Sequence, residues 1–145
     1  EDLLINVIDH HVDTFLNAAE EVLNNTSSPP LERLHAFFTS RKNHYTGLGF
    51  RKGCPVGNIA LELADCSESI RLKISEAYDK ARAPIRECIR ESISRGEIHG
   101  NAEDLSVTII NLWEGTLMNM KVFKTGDPID LFIRTIFTDI LRTNK

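Results

Sequence analysis

The stretch SESIRLKISEAYDKARAPIRECIRESISRGEI, Ser67–Ile98, carries the reading of the fold. Ile70, Ile74, Ala77, Tyr78, Ala81, Ile85, Cys88, Ile89 and Ser92 recur three and four residues apart. That spacing places side chains on one face of a helix with 3.6 residues per turn. Ser67 is suited to cap its start, and Glu68 in the first turn complements the helix dipole. Pro84 interrupts the pattern: its ring removes one hydrogen bond and crowds the carbonyl of Lys80, so a kink is expected there. Gly96 is the natural stop.

Working outward from this helix gives more of the same. Upstream, Leu4, Ile8, His11, Val12, Phe15, Ala19, Val22 and Leu23 form a helical stripe that should end near Asn24–Asn25, before Thr26-Ser27-Ser28-Pro29-Pro30. Pro29 and Pro30 suit the first turn of a second helix, with Ser28 as its cap and Leu31, Leu34, His35, Phe38 and Tyr45 on its apolar face. Thr46–Gly53 reads as a loop, and Pro55 opens a short helix through Val56, Ile59, Ala60 and Leu63, ending near Asp65. Downstream, Asn101 caps a fifth helix with Glu103 and Asp104 in its first turn. Asp127-Pro128 caps and opens a sixth, with Ile129, Phe132, Ile133, Ile136, Phe137, Ile140 and Leu141 on a broad face. No segment alternates at period two for long. The expectation is an all-α chain of about six helices without internal repeats.

Length and composition bound the function. At 145 residues, 41% hydrophobic and 26% charged, the chain reads as one soluble domain over 1–145. No run approaches the ~18 apolar residues of a membrane span, and no secretory leader is seen, so no membrane partner is expected and the cytoplasm is the expected location. Cys54, Cys66 and Cys88 lack a C-x-x-C pair and read as small buried hydrophobes in a reducing compartment. The net charge is −4, unfavourable for a duplex-DNA binder. Residues 1–30 hold six acids and no Lys or Arg, and the bases elsewhere are scattered along amphipathic helices rather than gathered in a stripe. The chain also begins at Glu1 already inside a helical pattern with no cap, which suggests a fragment.

Two features exceed an ordinary bundle. The fifth helix has one apolar stripe of Leu105, Ile109, Leu112, Trp113, Thr116 and Met120, and a second side of Val107, Ile110, Gly115 and Met118. A helix apolar on two sides is buried on two sides. The expected second cover is another copy of the chain: helices five and six of each subunit form a four-helix bundle across a homodimer. Ile110, Gly115, Met118, Ile133, Phe137 and Ile140 are the candidate interface residues. Secondly, Phe15, Phe38, Tyr45, Tyr78, Trp113, Met120, His11 and His35 all lie on core sides of their helices. Apolar walls with a few polar tips are the usual lining of a ligand pocket in a helical bundle, so these eight are the candidate ligand-binding residues. Core filling is the alternative for each of them singly.

Catalytic and metal motifs are poor. Glu32-x-x-His35 is half of a di-iron carboxylate pattern without its other half. His10 and His11 are adjacent on a helix and diverge by about 100°. Gly47-x-Gly49-x-x-x-Gly53 is one residue off the dinucleotide fingerprint and follows no strand, and Ser, His and Asp occur without an elbow motif. No catalytic residue, metal site or cofactor is expected. Glu62 and Glu114 stand among apolar residues, either partly exposed and paired or in contact with a ligand or interface.

A resemblance joins these readings. GCPVGNIALELAD (Gly53–Asp65), the long helix Ser67–Ile98, and NLWEGTLMNMKV (Asn111–Val122) followed by DPIDLF (Asp127–Phe132) together resemble the C-terminal regulatory domain of TetR/AcrR-type transcriptional repressors. The similarity covers roughly residues 50–141, and residues 1–45 fit the first two regulatory helices by pattern. It implies an all-helical homodimer joined through its last two helices, and a pocket among the others for a small hydrophobic effector. In that family an N-terminal helix-turn-helix domain holds operator DNA; residues 1–145 are expected to lack that domain, so operator DNA is expected as a partner only through it. By the same resemblance, residues 1–25 act as the lever between pocket and head, moved by an effector packed on Phe15 and His11. An enzyme using the bundle cavity and a purely structural dimerisation module are the competing expectations.

Overall fold

The computed structural model describes residues 1–141. Its helices are α1 (Asp2–Leu23), α2 (Pro30–Gly47), α3 (Pro55–Leu63), α4 (Glu68–Ser94), α5 (Ala102–Phe123) and α6 (Asp127–Thr135), the last running into a π-helical turn over Ile136–Ile140. There is no β-strand among the described residues.

The helix starts have local causes. The Ser67 hydroxyl accepts from the Ile70 N–H and opens α4; the Asn101 side chain accepts from Asp104 N–H at 3.1 Å and opens α5. Each satisfies a backbone donor that the helix leaves unpaired. Cys54 does the same for α3, its sulfur receiving the Gly57 N–H at 3.4 Å. At the end of α4, Gly96 takes a left-handed φ of +71°. Its N–H bonds the Ile93 carbonyl while Glu97 N–H bonds Ser92, the double closure that glycine permits at a helix end.

Two expected caps are corrected. Pro29, not Ser28, is the N-cap of α2 and supplies no side-chain bond, because Ser28 is folded back into the preceding turn with its N–H on Asn25. Gly126, not Asp127, precedes α6; Asp127 is already helical and its carboxylate lies in the first turn. α4 continues through Pro84 as one helix.

α4 is the spine. It packs along α1 and α5 and also on α2, while α3 closes one end against α1 and α4, and α6 lies on α5. The buried side chains form two clusters. The larger joins α2, α5, α6 and the C-terminal halves of α1 and α4 around Phe37, Phe38, Ile89, Ile109 and Trp113. The smaller joins α3 to the N-terminal halves of α1 and α4 around Ile8, Val56, Ile70 and Ile74. Cys54 and Tyr78 touch both. Arg33, 6% exposed, ties three helices together: it donates to the Leu23 carbonyl at the end of α1 (2.7 Å) and pairs with Glu91 of α4.

The two sides of α5 divide differently from the sequence expectation. Ser106, Ile109, Ile110, Trp113, Leu117 and Met120 face inward. Leu112, grouped above with the core stripe, is exposed together with Met118, Val122 and Phe123. Ile110 moves the other way and is buried inside its own chain. Of the cysteines, Cys88 is buried and Cys54 half-buried, but Cys66 is exposed after the end of α3.

Candidate functional site

A cavity lies where the two core clusters meet. α1 contributes His11, Val12 and Phe15; α2 contributes Arg41 and Tyr45; Cys54 and Val56 come from the start of α3. Ala77, Tyr78 and Ala81 of α4 and Ile110, Trp113, Glu114 and Leu117 of α5 complete the wall. Two of these are small, Ala77 and Ala81. Their missing volume is what leaves the space. The cavity measures about 40 Å³. At ~10–15 Å³ per water this is room for roughly three waters or a very small guest, and anything larger must move a wall.

The rings around it are held by one another. Phe15 meets Phe37 edge-on at 5.4 Å. Trp113 packs between Tyr45 (6.1 Å), Phe38 (5.3 Å) and Phe132 (5.0 Å), a mutually supporting aromatic group. Trp113 therefore belongs to both the cavity wall and the main core, where it touches Phe132 of α6.

The polar groups of the cavity sit in apolar surroundings, and their pKa values are shifted accordingly. Burial raises the Glu114 pKa above the ordinary carboxylate range; hydrogen bonding from Cys54 and Tyr78 opposes this without cancelling it. Burial pushes the Cys54 thiol up to about 12, with Glu114 adding to the shift. Burial likewise pushes Tyr45 up to about 12 and raises Tyr78. His11 is lowered, first by burial and then by the charge of Arg41; its Nε2 lies 3.8 Å from the Cys54 sulfur. All five favour their uncharged forms. Arg41 is the exception in kind, since a guanidinium stays protonated in proteins. It is 7% exposed and lies 5.6 Å from the Tyr45 ring centre.

Of the eight expected ligand-binding residues, the structure brings His11, Phe15, Tyr45, Tyr78 and Trp113 to this cavity. Phe38 and Met120 are fully buried in the main core instead, Phe38 being turned toward Trp113 and Phe132. His35 is exposed and meets the Phe137 ring at a tilt, 4.9 Å between centres. Val12, Arg41, Cys54, Val56, Ala77, Ala81 and Leu117 were missed, and Ile110 proves to be a cavity residue rather than an interface candidate. Arg33, Phe37, Arg41 and Tyr45 follow one another at i+4, a register that places Arg41 on the buried side of α2; its charge hides that signal. Glu114 is resolved toward the cavity, whereas Glu62 is exposed.

A second feature lies on the outer side of α5 and α6, a groove bordered by Leu112, Gly115, Phe123 and Leu131. Gly115 has open space where a Cβ would stand, and nearby Met118 is 55% exposed. Ile133, Phe137 and Ile140, expected at the interface, are partly buried against their own core. Among the described residues no group of three or more His, Cys, Asp or Glu side chains is placed to hold a metal. No described helix is long and apolar enough to cross a membrane.

The described residues thus form an all-helical domain with a small mixed-polarity cavity between its helices and an apolar groove on its outer helix pair. Residues 30–136 match the family described as tetracyclin repressor-like, C-terminal domain, and the chain belongs to it. It is 29% identical over 125 residues to the HTH-type transcriptional repressor DhaR of Mycobacterium sp. (strain GP1), covering 85% of this chain and 61% of that protein. It is 24% identical over 136 residues to the transcriptional regulator AcuR of Cereibacter sphaeroides, covering 92% of this chain and 62% of that protein. The chain thus spans about 60% of the length of both relatives. The fold is similar to the regulatory protein TetR from Rhodobacter sphaeroides, with a TM-score of 0.87, 24% identity, and coverage of 92% of this chain and 72% of that one. It is also similar to E. coli NemR in its reduced form, with a TM-score of 0.81, 16% identity, and coverage of 98% and 75%. TetR-family proteins are transcriptional regulators, not enzymes, and act as DNA-binding dimers.

Proposed function

We propose that residues 1–145 form a single effector-sensing and dimerisation domain of a TetR-family transcriptional repressor. A small hydrophobic ligand enters the cavity between α1, α2, α4 and α5. It displaces α1 and so triggers release of operator DNA by an N-terminal helix-turn-helix domain carried by the longer, cytoplasmic protein. The observation that carries this reading is the cavity at the junction of the two core clusters. Its wall includes the middle of α1, through His11 and Phe15, so a guest that fits imperfectly moves the helix leading back toward the N-terminus. Coupling of this kind is typically ~1–3 kcal/mol, and exists only if the ligand binds the two states unequally.

The second half of the proposal is a homodimer through α5 and α6. Leu112, Met118, Phe123 and Leu131 expose apolar side chains on this helix pair, and grouped exposed apolar residues mark a surface for a partner. Gly115 between them lets a partner helix come close. The wild-type chain should sediment at twice its 16.4 kDa, and Met118→Asp with Leu131→Asp should sediment as a folded monomer. A wild-type particle of 16.4 kDa at micromolar concentration would retire the dimer.

The sensor is tested by heating the chain with a panel of small hydrophobic compounds. A ligand specific to the native state raises Tm in proportion to log concentration above Kd. Phe15→Ala should weaken that response, since its ring is part of the wall; no response to any compound would favour a filled structural module.

A further inference from the structure

Two arginines on α2 are equally withdrawn from water, and they are treated differently. Arg33, 6% exposed, has a carboxylate in Glu91 and a carbonyl in Leu23. Arg41, two turns on and 7% exposed, has neither. No carboxylate among the described residues stands within ion-pair distance of it. Its Nε, like that of Arg33, is buried with no hydrogen-bond partner, and its company is the Tyr45 ring and hydroxyl. A buried charge without a counter-charge costs several kcal/mol, so such charges are normally paired. Arg41 faces the cavity.

We infer that the ligand of this cavity is a small organic anion, a short-chain carboxylate whose charged end docks on Arg41 and whose apolar remainder lies against Trp113 and Ile110. The inference rests on the reading of the cavity as the effector site and narrows it from hydrophobic compounds at large to acids. Charge counting supports it. Burial shifts His11, Tyr45, Cys54, Tyr78 and Glu114 each toward the neutral form, and Arg41 is the one guanidinium or ammonium group in the wall. The arginine fork also matches a carboxylate bidentately, which a chloride ion cannot reproduce. Size supports it as well: about 40 Å³ suits a short chain and excludes a long fatty acid unless the walls part.

The test compares sodium propionate and butyrate with propionamide and butyramide, of the same shape but uncharged, and with sodium chloride at equal ionic strength. The readouts are Tm of the 145-residue chain and a calorimetric titration. The carboxylates should bind roughly 10–100-fold more tightly than the matched amides, the factor expected of a charge-assisted bond. Arg41→Met should abolish the preference and leave the ligand-free Tm equal or higher, because a buried unpaired charge has been removed. Should that variant not fold, Arg41→Lys retains the charge without the fork and should keep a weakened preference. Amides binding as well as carboxylates, chloride stabilising as much as either, or carboxylate affinity unchanged in Arg41→Met would each overturn the inference. If neutral hydrophobic compounds raise Tm and carboxylates do not, the sensor stands and only the anion is wrong. If neither class binds, the sensor itself fails.

Discussion

Gly57→Ala places one methyl group against the polar end of the cavity. Gly57 is in the first turn of α3, and a Cβ built there falls 2.4 Å from Glu114 Oε2 and 3.6 Å from its Cδ. An ordinary contact begins at about 3.4 Å, so the carboxyl must retreat by about 1 Å. Retreat draws it away from Cys54 and Tyr78, which bond it. On helix propensity alone the substitution should stabilise by ~0.8–1 kcal/mol. Against this stand ~2–3 kcal/mol for overfilling a packed site, the weakened hydrogen bonds included. The net expectation is a loss of about 1–2 kcal/mol, or roughly 2–8 °C in Tm for a chain of this size. In a Glu114→Ala background the obstruction is gone, so the same substitution should stabilise by ~0.5–1 kcal/mol. The cycle therefore predicts a coupling of roughly 2 kcal/mol, within the usual range for residues in contact. Urea unfolding followed by Trp113 fluorescence measures it, provided the m-value is unchanged between variants. A Gly57→Ala chain more stable than wild type, or equal effects in the two backgrounds, would refute the placement of Glu114 against α3.

Two further outcomes follow from the same geometry. Asn101→Ala removes the side chain that caps α5 and should cost ~1 kcal/mol in urea unfolding, whereas Ser28→Ala, which removes no cap, should change stability by less than ~0.5 kcal/mol. For pH, the folded chain holds His11 neutral below its ordinary pKa because burial and Arg41 disfavour the cation. As pH falls below about 6.5 the unfolded chain takes up a proton that the native chain refuses, so stability drops. His11→Asn should flatten the decline in urea midpoint between pH 7 and pH 5.5; an unchanged slope would mean that His11 is not buried as described.

How much of this was legible in the sequence follows from the range of the forces involved. Caps act within one turn, which is why Ser67, Asn101, Pro55 and Gly96 marked their helices correctly. Ser28 failed because a proline next to it took over the N-cap position. Periodicity identified which face of each helix is buried, but not which neighbour that face meets. Phe38 and Tyr45 share the buried side of α2, yet Phe38 is turned to α6 and Tyr45 to the cavity. The same limit reversed Ile110 and Leu112 on α5. Arg41 was hidden by its charge, since a guanidinium reads as solvent-facing unless its i+4 register with Phe37 and Tyr45 is weighed against it. The small size of the cavity had no sequence signal at all: it depends on how closely side chains from α1, α2, α4 and α5 and the start of α3 converge around Ala77 and Ala81.

The central claim is that ligands act from inside the cavity, and Trp113 reports on it directly. It is the single tryptophan of the chain, so its indole N–H gives one resonance in a nitrogen-15 spectrum. With a compound that raises Tm, that resonance should shift saturably with the Kd found by calorimetry. An indole that stays still while the compound binds, with the perturbed residues gathered instead around Leu112 and Met118 on the outer groove, would contradict it.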